Sequence, residues 1–242
     1  MTQTKTQQLF DKLKKLITHS HNRFKGVKVN DSLNIFADNL LNDWNTRNDE
    51  KQYLTYHRGT VVYVDFGLNV GAELSGPHYG IILNKHDNPV SAKVTVVPLT
   101  SKEGAFNIPL PTGLTKVLGE WYAVTGLVHS KNFQPVTPDT IFDLFAVSEE
   151  KRNNHGHSKT EQRMLERFNQ YREETNLIKS ELKKQLLDLE KISYFKIDNV
   201  ATISKYRIQK PHHKFDALGR MTLPSDDMDL IDQQIVQHLL DK

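Results

Sequence analysis

Residues 58–102 decide the fold, and they run RGTVVYVDFGLNVGAELSGPHYGIILNKHDNPVSAKVTVVPLTSK. Three segments of this stretch are rich in β-branched and aromatic residues, which favour strands: 61–66, 79–83 and 94–99. Glycine, asparagine, aspartate and proline, the usual turn residues, lie between them. Short strands separated by turn signals predict a small, strongly bent antiparallel sheet or barrel.

Two later segments extend the predicted sheet. Residues 121–128 have a strand-like composition, and Gly113 and Gly119 precede them as turn residues. Residues 194–203 (YFKIDNVATI) form the last predicted strand. We therefore expect five strands in this part of the chain.

Amphipathic helices are predicted before the sheet. In residues 5–20 the apolar side chains recur at helical spacing, with lysines mostly on the opposite face. We expect this helix to pack on the protein's own core, and the alternative is a membrane-surface role. A second helix is predicted to begin at Asp31 or Ser32, both good N-cap residues, and to continue through Trp44.

A charged segment, residues 148–191, interrupts the β pattern. Its apolar residues follow steps of four and three from Met164 to Leu189, which predicts a long helix with a heptad-like stripe. This helix could form a coiled-coil hairpin with the N-terminal helices, or it could be a dimer element. A basic loop at 205–220 and a helix near 226–240 follow. The predicted organisation is thus a helical extension (1–50), a core (51–147 and 192–242) and a helical insert (148–191).

The composition excludes several kinds of site. There is no cysteine, which rules out disulfides, thiolate zinc sites and cysteine nucleophiles and favours a reducing cytoplasm. The net charge of +3 is too small to indicate nucleic acid by itself.

No apolar run approaches the roughly 18 residues of a membrane span, so we expect a cytoplasmic protein without membrane contact. Phosphate-binding and dinucleotide motifs are absent, and paired histidines lack a third ligand at zinc spacing, so we predict no cofactor and no metal.

The stretch that decides the fold resembles the MazF/PemK toxins in four ordered features. Arg58-Gly59 opens the first strand, a glycine-containing loop (71–76) follows it, the second strand ends at Asn84, and the third ends in 98–101 (PLTS). Residues 195–208 resemble the family's last core strand, which typically closes with an arginine such as Arg207. The implied fold is α+β. It is a small antiparallel β-barrel of the MazF/CcdB type, similar to Src-homology-three barrels, with added N-terminal helices and a long helical insertion.

The resemblance also implies a function. The MazF/PemK proteins are toxins of toxin–antitoxin systems, homodimeric mRNA interferases that cut single-stranded RNA without a metal and are held in check by an antitoxin protein. Family members commonly use an arginine after the glycine loop and a threonine or serine at the end of the third strand. Thr100 and Ser101 match the second position, whereas His78 stands where the arginine is expected.

This histidine changes the chemistry that the site can perform. Arginine stabilises phosphate charge but accepts protons poorly, whereas histidine, with an unperturbed pKa of about 6.5, exchanges protons near neutral pH. We therefore predict that His78 is the general acid or base and that Thr100 and Ser101 donate hydrogen bonds to the scissile phosphate. Backbone N–H groups around Ser75-Gly76 are expected to approach the same phosphate.

Other residues are predicted to support catalysis or to bind RNA. Glu73 either orients His78, organises the loop or has no role. Arg58, Lys85 and Lys102 are candidate phosphate contacts, and Tyr79 is a candidate base-stacking residue, as is Trp121. Each has a structural alternative: Thr100 could simply end a strand, and Tyr79 could pack in the core.

Two further classes of function stay open. The chain could be a non-catalytic RNA- or protein-binding module that has lost activity with the arginine, or a gyrase-targeting toxin like CcdB. The combination of Glu73, His78 and Thr100-Ser101 favours the nuclease, because a gyrase poison gains nothing from a proton-transfer residue.

Overall fold

The computed structural model describes most of the chain. The described residues are 4–19, 23–25, 27–132, 182–191, 194–211 and 216–239, together with 166, 169–170, 173, 176–177 and 180. They form a mixed α+β structure with antiparallel sheets, as the α+β prediction requires. The finer expectation of a barrel is not met within these residues, because the sheet does not close into one.

The helices and strands have the following bounds. The helices are α1 (Lys5–His19), α2 (Val29–Asn45), α3 (Leu114–Asn132) and α4 (Ser225–Leu239). The strands are β1 (Arg23–Phe24), β2 (Val27–Lys28), β3 (Val61–Asp65), β4 (Pro77–Ile82), β5 (Lys93–Thr100), β6 (Asn107–Pro109), β7 (Tyr194–Lys196) and β8 (Ala201–Ser204). The chain divides into two compact units, one made of 1–112, 192–212 and 218–242 and the other of 113–191 and 213–217.

The sheet of the first unit is organised around β5. In the order β3-β4-β5-β7-β6 neighbouring strands are antiparallel, and β8 also pairs with β5. Along the edge that faces away from β4, β5 changes partner. Lys93–Val96 pair with β8, whereas Leu99 and Thr100 pair with β7. Pro98 lies between the two sets of pairs, and a proline has no N–H to donate to a ladder. The proline therefore marks the position where the sheet divides.

The same changeover splits the last predicted strand. Residues 194–203 were expected to form one strand, but β7 and β8 are separated by a 3-10 turn at Ile197–Asn199. The turn contains Asp198 and Asn199, which favour turns over strands. Beyond this region, isolated bridges pair Val64 of β3 with Ile208, and Thr60, which precedes β3, with Thr222.

Both faces of the central strands are buried. On one face, side chains from β3, β4, β5 and β8 form a cluster: Val62, Val64, Ile82, Val94, Val96 and Ile203. On the other face lie fully buried side chains such as Ile81, Leu99 and Phe195. Ile231 of α4 is also completely buried within this unit. The three predicted strands of residues 58–102 are therefore confirmed as core strands.

The N-terminal helices form where the periodicity predicts them, with two differences. No residue of α1 is buried, so the expectation that α1 packs on the protein's core is wrong. Helix α2 begins at Val29, before the predicted N-cap residues, and its N-cap position, Lys28, makes no side-chain capping bond. The start is instead fixed by burial, since Val29 has no exposed surface.

The second unit corrects the prediction for residues 121–128. They belong to α3 rather than to a strand. Leu114, Val117 and Leu118 are buried at helical spacing, which outweighs the local β-rich composition. Gly119, predicted to be a turn residue, lies inside the helix.

Only part of the predicted heptad-like stripe can be compared with the structure. Met164, Phe168, Tyr171, Thr175 and Ile178 lie outside the residues that the structure describes. Residues 182–189 are helical, and the stripe positions Gln185 and Leu189 are buried. Gln185 accepts a hydrogen bond from Tyr122 at 3.4 Å and donates one to Asp216 at 2.8 Å.

Candidate functional site

A row of three polar side chains crosses the end of the sheet. Thr100 of β5 is paired directly with Tyr194 of β7. On the other side, the β4–β5 ladder ends at the pair Gly80 and Pro98. His78 and Thr100 lie two residues beyond this pair on their strands, so alternation puts both side chains on the face of Gly80 and Pro98. Directly opposed residues of antiparallel strands point to the same face. His78, Thr100 and Tyr194 therefore share one face, and each is partly exposed.

The environment of His78 favours its neutral form. Burial lowers the pKa of His78 below its ordinary value of 6.5, while hydrogen bonds to the backbone of Ser75 and Leu99 oppose the shift. The positive charges of Lys196 and Lys102 lower the pKa further. The imidazole also lies edge-on to Phe66, with 6.3 Å between ring centroids. At neutral pH this histidine is therefore mainly an unprotonated base.

Two lysines place positive charge beside this row. Lys196 Nζ donates to Asn107 Oδ1 at 3.2 Å and lies 3.5 Å from Asp198 Oδ1. Asn107 in turn donates from Nδ2 to the carbonyl of Lys102 at 2.9 Å, which fixes the turn between β5 and β6. Asn107 thus bonds the ammonium of Lys196 and the backbone of Lys102, whose own side chain is exposed.

The Thr100 hydroxyl is placed to donate. Its oxygen accepts a hydrogen bond from the Lys102 N–H at 3.2 Å. A hydroxyl has one donor hydrogen in addition to two acceptor positions, so the Thr100 O–H keeps its hydrogen available to a ligand. Ser101 follows the strand end and is exposed. Of the two predicted hydroxyl donors, the structure places Thr100 in the row.

The glycine loop is closed by its own hydrogen bonds. The Gly76 N–H donates to the carbonyl of Gly67 at 2.7 Å. The Ser75 hydroxyl accepts from the Asn69 N–H at 3.0 Å and donates to the Asn69 carbonyl at 3.3 Å. The expectation that the Gly76 N–H binds the phosphate is therefore corrected, because this donor is already engaged.

Residues of the N-terminal extension pack against this loop. Lys25 Nζ donates to the carbonyls of Asn69 and Glu73, at 3.1 and 2.9 Å. Gly76, with φ +82°, lies so close to Val27 that a Cβ at this position would meet a Val27 methyl at 2.5 Å. Glu73 takes part through its backbone, and its side chain is exposed. The hydrogen bond from Lys25 to the Glu73 carbonyl supports the loop-organising alternative for this residue.

The other predicted RNA contacts lie away from His78. Arg58 pairs with Asp232 of α4 and donates to the Leu83 carbonyl, so it ties the helix to the sheet. Lys85 is exposed beyond the end of β4 that is remote from His78, about 20 Å away at the usual rise per residue. Tyr79 points to the opposite face from His78 and packs on Tyr63, with 4.9 Å between ring centroids. The structure therefore brings Lys102, but not these three, to the row.

A separate cavity of about 410 Å³ lies between α2 and the sheet. Ile35, Phe36, Tyr206 and Arg207 are among its lining residues, whereas His78 and Thr100 are not. Arg207, expected at the end of the last core strand, instead follows β8 in a 3-10 turn and donates to the Phe66 carbonyl at 2.7 Å. Among the described residues no three histidine, aspartate or glutamate side chains are grouped closely enough to hold a metal.

Three residues of this site, Tyr194, Lys196 and Asn107, are not predicted by the sequence pattern. The first two lie at the start of the last predicted strand, but their alignment with Thr100 depends on a strand register that the pattern alone does not give. Asn107 lies in β6, which is only three residues long and was not predicted.

Comparison with models of known protein families gives no match to this chain, and comparison with curated protein sequences gives none either. The resemblance to the MazF/PemK toxins therefore stays a prediction from the sequence. None of the helices in the described residues is long and apolar enough to cross a membrane.

Proposed function

We propose that this protein is a metal-independent endoribonuclease that cleaves single-stranded RNA. The observation that carries the proposal is the row of His78, Thr100 and Tyr194, flanked by Lys102 and Lys196. Such a row combines a neutral base, hydroxyl donors and cations on one face. These are the groups that RNA cleavage by the ribose 2′-hydroxyl requires.

In the proposed reaction His78 is the general base. The imidazole is held at the backbone of Ser75 and Leu99. In the proposed step the ring keeps one of these hydrogen bonds through its N–H, and the nitrogen that gives up the other accepts the proton of the 2′-hydroxyl. The 2′-oxygen attacks phosphorus, and the bond from phosphorus to the 5′-oxygen breaks. Tyr194 donates its hydroxyl proton to the departing 5′-oxygen and recovers a proton, through water, from the imidazolium of His78. The products are a 2′,3′-cyclic phosphate and a 5′-hydroxyl.

The remaining residues of the site stabilise charge. As negative charge builds on the phosphate oxygens, the Thr100 hydroxyl donates a hydrogen bond and the ammonium groups of Lys102 and Lys196 supply positive charge. Because histidine has replaced the expected arginine, these lysines take over the charge stabilisation that the arginine provides in the family. The lowered pKa of His78 favours the base role over phosphate binding as an imidazolium.

The cellular role that we propose follows the resemblance. The chain acts in the cytoplasm as the toxin of a toxin–antitoxin system, and a separately encoded antitoxin inhibits it by covering the cationic end of the sheet. A homodimer is the proposed active form. DNA, which lacks the 2′-hydroxyl, is not cleaved.

The test is incubation of the purified protein, in EDTA, with a long single-stranded RNA whose cut sites and end groups are mapped. We expect discrete cuts with cyclic-phosphate ends. His78→Ala should lower the cleavage rate by about 10²- to 10⁴-fold, the usual contribution of a general base. His86→Ala, which removes an exposed histidine in the turn after β4, is the matched control and should cut at the wild-type rate.

Other outcomes separate the competing functions. RNA that is bound but stays intact would contradict the nuclease and favour a non-catalytic RNA-binding module. Intact RNA with altered DNA supercoiling in expressing cells would favour a gyrase-targeting toxin. Equal cleavage by wild type and His78→Ala would remove the proposed base.

A further inference from the structure

The cavity between α2 and the sheet has the size and lining of a small-molecule site. Its volume of about 410 Å³ lies near the lower end of the roughly 300–1,000 Å³ that such sites span. Phe36 and Leu40 line it and are more than half exposed, so they offer apolar surface that a ligand would cover. Tyr53 and Tyr206 add aromatic rings, with 5.5 Å between their centroids. This lining fits a ligand with an aromatic body.

Two lining residues bring opposite charges close to Gly67. Asp65, which is only 8% exposed, accepts the Gly67 N–H at Oδ1 over 2.8 Å. Arg207 Nη1 donates to the Phe66 carbonyl at 2.7 Å and would lie 3.3 Å from a Cβ on Gly67. In the described chain no salt bridge joins Asp65 to Arg207. Because a guanidinium has five N–H donors and a carboxylate about four acceptor positions, both groups keep hydrogen-bonding capacity for a ligand.

A third polar group of this cavity lacks a partner. Ser32, in the first turn of α2, lines the cavity and is 5% exposed. Its Oγ has no hydrogen-bond partner among the described residues. A buried hydroxyl in this state costs free energy, and a polar group on a bound ligand would satisfy it.

We propose that this cavity binds a small zwitterionic molecule with an aromatic body, of the kind of a free aromatic amino acid. The Arg207 guanidinium binds its carboxylate, and the Asp65 carboxylate binds its ammonium group. The ring lies among Phe36, Tyr53 and Tyr206. This ligand site is separate from the row that contains His78.

The charges of the lining favour a zwitterion over a simple ion. An anion would leave the Asp65 carboxylate unpaired and a cation would leave the Arg207 guanidinium unpaired, whereas a zwitterion pairs with both. Two other charged residues line the cavity and do not change this balance. Asp43 is already paired with Lys51 at 2.6 Å, and Lys93 is exposed, where water screens its charge.

Isothermal titration calorimetry near neutral pH with three related probes tests the proposal. L-Tryptophan carries both charges, tryptamine lacks the carboxylate, and indole-3-propionate lacks the ammonium group. Wild-type protein should bind L-tryptophan at least about tenfold more tightly than either analogue, because each analogue leaves one charged group of the cavity without its partner.

Variants of the two charged residues assign each end of the ligand. Arg207→Gln should weaken L-tryptophan binding at least about tenfold without weakening tryptamine binding. Asp65→Asn should weaken L-tryptophan binding by a similar factor without weakening indole-3-propionate binding. Arg47→Gln and Asp38→Asn, at exposed positions outside the cavity lining, are the matched controls and should bind all three probes like wild type.

A further variant closes the cavity without changing a buried residue. Ala92 lines the cavity and is exposed, so the indole of Ala92→Trp can fill the space and should abolish L-tryptophan binding while the circular dichroism spectrum stays unchanged. The proposal is overturned if wild type does not bind L-tryptophan more tightly than both analogues. It is also overturned if the Arg207 and Asp65 variants weaken all three probes alike, or if folded Ala92→Trp binds like wild type. RNA cleavage enters none of these measurements.

Discussion

His78 is paired across the β3–β4 ladder with Val64, a residue that has no exposed surface. The pairing places the imidazole at the end of the face that carries the apolar cluster, and burial there is the main cause of its lowered pKa. A histidine in this setting loses its proton more readily than one in water. The pairing thus links the packing of the core to the proposed chemistry.

The first prediction concerns the pH dependence of cleavage. Because the neutral imidazole is the active form, kcat/KM should rise about tenfold per pH unit at low pH and level off above the His78 pKa. The turning point should lie below the ordinary value of 6.5, since burial lowers the pKa. A profile of kcat/KM from about pH 4 to about pH 8 tests this, because it covers both sides of a turning point below 6.5. A rate that declines as the pH passes this point would show that the imidazolium is the active form.

The second prediction concerns Tyr194. Tyr194→Phe removes only the hydroxyl proposed to protonate the leaving oxygen, so kcat should drop by about 10²-fold or more while KM changes little. Tyr206→Phe, at another partly exposed tyrosine outside the row, should keep the wild-type kcat. An RNA with a 5′-thiolate leaving group, which needs no proton, should restore the rate of Tyr194→Phe. Failure of that rescue would rule out the acid role.

The third prediction concerns Thr100. Thr100→Val keeps the shape of the side chain but removes the donor to the phosphate, and kcat should fall by about 10- to 10³-fold. Thr95, on the same strand, has its hydroxyl 2.9 Å from that of Thr202 and lies away from the row. Single-turnover rates of Thr95→Val should therefore equal those of wild type. Equal losses in both variants would point to a general effect on β5 rather than a missing donor.

The strands of residues 58–102 show what the sequence can predict. Their β-branched runs are bounded by strong turn signals, and both faces are buried, so local composition and tertiary structure agree. In α3 they disagree. The β-rich composition of residues 121–128 is overridden by the helical spacing of Leu114, Val117 and Leu118, which begins upstream of the segment.

The candidate site was predictable only in part for a different reason. His78 and Thr100 stand next to recognisable loop and strand-end signals in one continuous stretch. Tyr194 is more than ninety residues away, and its position opposite Thr100 is set by the partner change of β5 at Pro98. Strand register over such a distance depends on tertiary packing and not on local pattern.

The fourth prediction concerns the contact between the N-terminal extension and the glycine loop. Gly71 and Gly76 both have positive φ, but a Cβ at Gly71 would meet nothing within 4 Å, whereas one at Gly76 would overlap Val27. Gly71→Ala should therefore cost about 1–2 kcal/mol of unfolding free energy, and Gly76→Ala about 1–3 kcal/mol more. Urea denaturation measures both. Val27→Ala should recover part of the extra loss in Gly76→Ala. Equal costs at the two glycines would show that Val27 does not contact the loop.

The fifth prediction concerns a buried ion pair. Lys205 Nζ lies 2.7 Å from Asp87 Oδ2, and both side chains are at most 3% exposed. Lys205→Met leaves the Asp87 carboxylate buried without its partner and should cost about 3–5 kcal/mol of unfolding free energy. Lys51→Met breaks the pair with Asp43, a carboxylate that is 61% exposed, and should cost less than about 1 kcal/mol. A similar loss in the two variants would contradict the structural role of the buried pair.

The most direct test of the proposed chemistry removes one hydroxyl group from the substrate. A short RNA containing one mapped cut site is compared, in EDTA, with the same RNA carrying a 2′-deoxyribose at the nucleotide before the scissile bond. If His78 activates the 2′-hydroxyl, the unmodified RNA is cut to a 2′,3′-cyclic phosphate and the modified bond stays intact. Cleavage of the modified bond at a comparable rate would mean that the nucleophile is not the ribose hydroxyl and would contradict the account.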